Sequence, residues 1–189
     1  EGERSLHSSV RPREEGRRIS ETFDKEGFYI FSGLGAGYHI RPLLSTRIKG
    51  GMVIERDLSL FKALLQNFDF SDFFSIPDLV FLVDPNKQEI RRSLLGNYIP
   101  AVMAGLFSLP LRARIQEDPD GFTTIARWIE EGLEEVRADY SVQTRFGKQW
   151  IRNALLNIPS LEESNNSANI GEIFNKHKSA AICAAGPGI

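Results

Sequence analysis

Gly33, Gly35 and Gly37 alternate through Ser32-Gly33-Leu34-Gly35-Ala36-Gly37-Tyr38-His39, between an apolar run and a segment able to start a helix. Glycines at this spacing build a ligand-binding turn. Without a Cβ the backbone takes positive φ and approaches a bound group closely, and the following helix start offers free N–H groups to an anion. Glu55 closes the next apolar run, Met52-Val53-Ile54. An acid there accepts hydrogen bonds from ribose hydroxyls in nucleoside-binding folds. The G-x-G-x-G pattern is nearer to S-adenosylmethionine sites than to the dinucleotide G-x-G-x-x-G. His39 is either a polar group at this crevice or a capping and packing residue. The plainer alternative is that the glycines only permit close packing of strand on helix, with Glu55 paired to Arg56 or Arg41.

Other chemistry is thinner. Asp84-Pro85-Asn86 follows a third apolar run and reads as a crevice edge or a helix cap. No serine has a G-x-S-x-G context, and no G-x-x-x-x-G-K-[ST] phosphate loop occurs. Glu130, Glu131, Glu134 and Glu135 repeat at helical spacing, as a solvated face does. Gln149, Asn153 and Asn157 share one helix face, where amides need a backbone or ligand to bond. One cysteine and three scattered histidines argue against a metal site, so no metal is expected. The net charge of −2 gives no field favouring nucleic acid. No apolar run reaches the roughly 20 residues of a membrane helix, and no signal peptide opens the sequence. The expectation is a cytoplasmic protein with neither nucleic acid nor membrane as partner.

The elements that must position these residues alternate. Strands are expected at 28–31, 52–54 and 79–83, with a fourth at 111–115. Helices are expected at 12–25 (capped by Ser9), 39–47, 59–67 and 86–95. Alternating strands and helices imply a parallel sheet, hence an α/β, Rossmann-like amino-terminal domain over residues 1–117. A helical connector follows over 118–159, in two stretches that break at Ser141. Phe122, Ile125, Ile129, Leu133, Val136 and Tyr140 form the apolar face of the first; Phe146, Trp150, Ala154 and Leu155 are apolar in the second. Residues 160–169 read as a linker. The apolar run Ala180–Ala185, followed by Gly186-Pro187-Gly188, reads as a strand entering a turn, and marks the chain as part of a longer protein.

Four segments carry a family resemblance. They are Leu6-His7-Ser8-Ser9-Val10-Arg11-Pro12, Phe31-Ser32-Gly33-Leu34-Gly35-Ala36-Gly37-Tyr38-His39, Thr144-Arg145-Phe146-Gly147-Lys148-Gln149-Trp150-Ile151-Arg152-Asn153-Ala154-Leu155-Leu156-Asn157, and Ala181-Ile182-Cys183-Ala184-Ala185-Gly186-Pro187. Together they resemble the motility-associated factor (Maf-type) flagellin glycosyltransferases, with their 6-hydroxymethylpterin diphosphokinase MptE-like domain. The resemblance implies that Gly186 and Pro187 open a nucleotide-sugar turn of a carboxyl-terminal catalytic domain, in a region spanning 160–189. Gly188 stands where the family has serine. It further implies a CMP-activated nonulosonic acid donor for the full-length protein, flagellin as partner, and no cofactor held by this part. The chain then corresponds to an amino-terminal, non-catalytic module. Two other readings stay open: an S-adenosylmethionine- or nucleotide-binding, methyltransferase-like domain, or part of a pterin diphosphokinase-like enzyme.

Overall fold

Phe28-Tyr29-Ile30-Phe31 has no polar residue on either face, so as a strand it must be covered on both sides. The computed structural model, which describes residues 6–7, 10–44 and 46–163, places it at the centre of a sheet. The elements in chain order are α1 (Pro12–Glu21), β1 (Gly27–Ser32), α2 (Arg41–Leu44), β2 (Ile48–Glu55), α3 (Leu58–Asn67), α4 (Ser71–Phe74), β3 (Leu79–Val83), α5 (Lys87–Asn97), β4 (Leu106–Pro110), α6 (Arg112–Glu117) and α7 (Pro119–Glu163).

The four strands pair in the order β3-β2-β1-β4, all parallel. This is an α/β, Rossmann-like sheet. Its order explains its layers. From β1 to β3 the chain steps outward in one direction, and a right-handed crossover then puts α2, α3 and α4 on one face. To reach β4 it must step back past β1, so α5 lies on the other face. Side chains of β1 alternate accordingly. Tyr29 and Phe31 pack with Leu43, Leu64, Phe70 and Phe73, while Phe28 and Ile30 pack with Ile90, Leu94, Ile125 and Val136.

The chain divides into two compact units, Glu1–Ser141 and Val142–Ile189. In the first, the opening turns of α7 bury Phe122, Ile125 and Val136. Arg91 donates to Glu135 at 2.6 Å and the Lys87 ammonium lies 2.6 Å from the Glu131 carboxylate as an ion pair, fastening α5 to α7. In the second, the described part of α7 leaves Trp150, Ile151, Leu155, Leu156 and Ile158 exposed. Phe146 and Trp150 stack at 6.2 Å on that helix.

Several boundaries differ from expectation. The fourth strand is Leu106–Pro110, not 111–115, because Pro110 cannot continue a ladder and Leu111, Arg114 and Ile115 follow helical spacing. The helix expected at 39–47 is a single turn, Arg41–Leu44, with Pro42 in it. Helix α1 stops at Glu21, and its N-cap is Arg11 rather than Ser9. Helix α7 runs through Ser141 without a break, since one serine costs a helix little. It reaches Glu163, so residues 160–163 are helical; the rest of the linker, Gly186 and Pro187 lie outside the described residues.

Leu94 is fully buried between α5, the sheet and α7. Leu94→Ala is expected to cost about 2–5 kcal/mol in urea unfolding through the cavity left behind.

Candidate functional site

The carboxyl ends of β1, β2 and β4 meet at the turn 33–40. Gly33, Gly35 and Gly37 all have positive φ, at 97°, 50° and 75°. Glycine is required there for space as well as conformation. A Cβ on Gly35 would lie 2.5 Å from His7 Nε2 and 2.6 Å from Leu111, and one on Gly37 would lie 2.6 Å from the Phe73 ring. The turn is therefore packed upon from both sides by the protein itself.

Glu55 sits beside the turn at the end of β2, 1% exposed. Its carboxylate is already occupied. Oε1 accepts from Arg114 Nη2 at 2.7 Å and Nε at 3.2 Å, and from the backbone N–H groups of Arg56 at 2.9 Å and Asp57 at 3.2 Å. Oε2 accepts from Leu34 N–H at 3.2 Å, inside the glycine turn. The guanidinium is as buried as its partner, 3% exposed, and also bonds Glu117. Burial works against the Arg114 charge, but the bonds and charges of Glu55 and Glu117 outweigh it and raise its pKa. The expected pairing of Glu55 with the side chain of Arg56 or Arg41 does not form. Those arginines bond Asp118 at 2.6 Å and Asp72 at 2.9 Å instead. Arg41 also donates to the Ala36 carbonyl at 3.1 Å, bracing the turn from outside.

His7 comes over the turn from the amino-terminal segment. Its Nε2 accepts the Ala36 N–H at 3.0 Å, a donor that an anion at the turn would use. Burial lowers the His7 pKa, against a smaller opposing effect of Glu15. His39 follows the turn, 2% exposed, with its ring centroid 5.7 Å from that of His7. Burial pushes its pKa down to about 3; His7 adds to the shift and the Gly33 backbone opposes it. His39 is thus a neutral ring inside the turn rather than a helix cap.

Asp84-Pro85-Asn86 resolves into a turn and a cap. Asp84 takes φ of 46° and donates its N–H to the Glu55 carbonyl at 2.7 Å, while Asn86 and Glu89 form a reciprocal capping box on α5. Gln149, Asn153 and Asn157 are exposed on α7, away from the glycine turn in sequence and in a different unit. Among the described residues, no group of three or more His, Cys, Asp or Glu is placed to hold a metal ion, and no helix is long and apolar enough to cross a membrane.

Sequence reasoning found the glycines, His39 and Glu55 together, and missed His7 and Arg114 as their partners. No local signal marks Arg114; it lies in a charged hexamer and reaches Glu55 across 59 positions. His7 lies in one of the segments that carried the family resemblance, without a geometric reason to join it to the turn.

The fold and edge define an α/β domain of Rossmann-like class whose glycine turn is closed by its own side chains. An uncharacterized protein of Treponema pallidum (strain Nichols) is 38% identical over 61 residues, which is 32% of this chain and 29% of that protein. The chain thus spans under a third of that relative's length. No family model matches the chain, and no solved structure does.

Two outcomes are expected. Glu55→Gln removes the buried counter-ion of Arg114, leaving it only the half-exposed Glu117, and should cost about 3–5 kcal/mol in chemical denaturation. Glu55→Gln with Arg114→Met should lose less than the sum of the single variants. The second outcome concerns pH. His39 stays neutral in the folded protein but takes a proton when unfolded below pH 6.5, so the unfolded state binds more protons as pH falls. Stability from this group is complete above pH 6.5 and is lost progressively toward pH 3. By pH 5 the loss should amount to about 2 kcal/mol relative to His39→Gln, read from denaturation midpoints at pH 7.5 and pH 5.

Proposed function

We propose that the chain is the amino-terminal, non-catalytic module of a cytoplasmic Maf-type protein glycosyltransferase, which as a whole transfers a CMP-activated nonulosonic acid to serine or threonine of flagellin. The observation that carries the non-catalytic part is the occupancy of the crevice. The acid that would hold a ribose is consumed by Arg114, and the N–H that would hold a phosphate is consumed by His7. A domain built this way positions other parts instead of binding a nucleotide. The exposed apolar residues of α7 beyond Ser141 support the same reading, because Trp150, Ile151, Leu155 and Leu156 offer a surface for an adjoining domain. The resemblance at 144–157 and 181–187 supplies the family, with Gly186 and Pro187 as the opening of the nucleotide-sugar turn and flagellin as acceptor.

Thermal-shift measurement of this chain with S-adenosylmethionine, ATP and CMP tests the module reading. No shift is expected with any of the three. A ligand present at 100 times its dissociation constant would add about 2.7 kcal/mol, which such a scan detects. Stabilisation by S-adenosylmethionine or ATP, abolished by Gly35→Val, would overturn it in favour of a nucleotide-binding enzyme domain. The family reading is tested separately, by mass spectrometry of flagellin after incubation with the full-length protein and a CMP-nonulosonic acid. Added sugar mass is expected; unmodified flagellin counts against it.

A further inference from the structure

Charge changes sign along α7. Glu130, Glu131, Glu134 and Glu135 crowd the part before Ser141, where Glu131 and Glu135 are paired with Lys87 and Arg91. From Val142 to Ser160, in the second unit, no Asp or Glu occurs, while Arg145, Lys148 and Arg152 stand three and four positions apart. Residues at that spacing share a face, so the three cations repel one another, and none has an acid three or four positions away. The helix gains nothing from this arrangement by itself. An anionic surface lying alongside would relieve it.

Apolar residues lie directly beside those cations. At about 100° per residue, Trp150, Ala154, Ile158, Ile151 and Leu155 fall within an arc of about 140°, and Lys148, Arg152 and Arg145 occupy about the next 80°. Every residue from 142 to 160 except Gly147 is exposed. Asn153 and Asn157 border the apolar arc on its other side. A dry protein groove would have to pair those amides one by one, and a second copy would set like charges together. Nucleic acid would leave the aliphatic arc in water. A hydrated headgroup layer accepts amides and cations while the acyl boundary beneath takes the arc, with Trp150 at the level an indole prefers. We propose that residues 142–160 lie flat on an anionic lipid surface, with Trp150, Ile151, Leu155 and Ile158 at the acyl boundary and Arg145, Lys148 and Arg152 on the headgroups. Crossing a bilayer takes roughly 20 apolar residues, whereas lying on one takes only an amphipathic helix. The expectation of no membrane partner, drawn from the absence of such a run, therefore does not bear on this face. The proposal does not rest on the glycosyltransferase reading, and an adjoining domain is the competing occupant.

The test is vesicle flotation of this chain and of the full-length protein, joined to fluorescence of a Trp128→Phe variant of the chain. Trp128 packs in the first unit, and its replacement leaves Trp150 as the sole tryptophan. Both proteins should float with vesicles mixed from phosphatidylcholine and phosphatidylserine, and Trp150 emission should shift saturably to the blue. Vesicles of phosphatidylcholine alone should bind on the order of 100-fold more weakly, at about fivefold for each cation near an anionic surface. Arg145→Gln with Lys148→Gln and Arg152→Gln alters only exposed side chains. That variant should keep the thermal midpoint and lose affinity for the mixed vesicles by the same factor. No flotation and no blue shift with the mixed vesicles would overturn the proposal. So would equal binding to both kinds of vesicle, or unchanged affinity in the folded triple variant. A chain that floats while the full-length protein does not would overturn it too, because an adjoining domain then covers the face.

Discussion

The carboxyl edge of this sheet is organised by one buried ion pair, Glu55 with Arg114. Neither side chain is more than 3% exposed, so both charges have given up most of their hydration. That cost is met only because the carboxylate collects every donor within reach: the guanidinium, two N–H groups at its own strand end, and the Leu34 N–H across the gap. A buried pair of this kind adds little net stability, yet it is costly to half-break. It therefore acts mainly on position. It ties the end of β2 to the glycine turn after β1 and to α6 after β4, three segments from distant parts of the chain.

From that tie the rest of the edge follows. With Arg114 drawn under Gly33, Leu111 comes against Gly35, and the turn has no room for a side chain at either position. Phe73 closes the opposite side at Gly37, and Arg41 holds the Ala36 carbonyl while stacking over Phe70 and Phe73. His7 then takes the Ala36 N–H of the turn. The turn keeps its positive-φ glycines, and the polar groups around it are spent on the fold.

The two units differ in how they meet the apolar demand of α7. Up to Ser141 its apolar face has a sheet to cover it, and Ile125 and Val136 are buried there. Past that point the same periodicity continues while the described residues leave large apolar side chains in solvent, Ile151 at 65% and Leu156 at 64%. Exposed aliphatic and aromatic groups in that number set this stretch apart from the buried face before Ser141.

The sequence by itself determined the class of fold, because apolar runs of strand length alternating with helical periodicity admit few arrangements other than a parallel sheet covered on both faces. It also brought Gly33, Gly35, Gly37, His39 and Glu55 to one edge, since each follows a strand end and parallel strands present their ends together. Boundaries were less legible where local signals conflicted: Pro110 ended the fourth strand just before the Leu111–Ile115 segment that alternates like one, and Ser141 did not interrupt α7 because one serine costs a helix little. What only the tertiary structure decided is whether that edge is open. The residues that close it, His7 and Arg114, come from either end of the domain, and no local signal marks either as a partner of the turn. Periodicity reports which face of an element is buried; it carries no information about which distant charge will be buried against it, because that choice is made by packing and desolvation once the chain has folded.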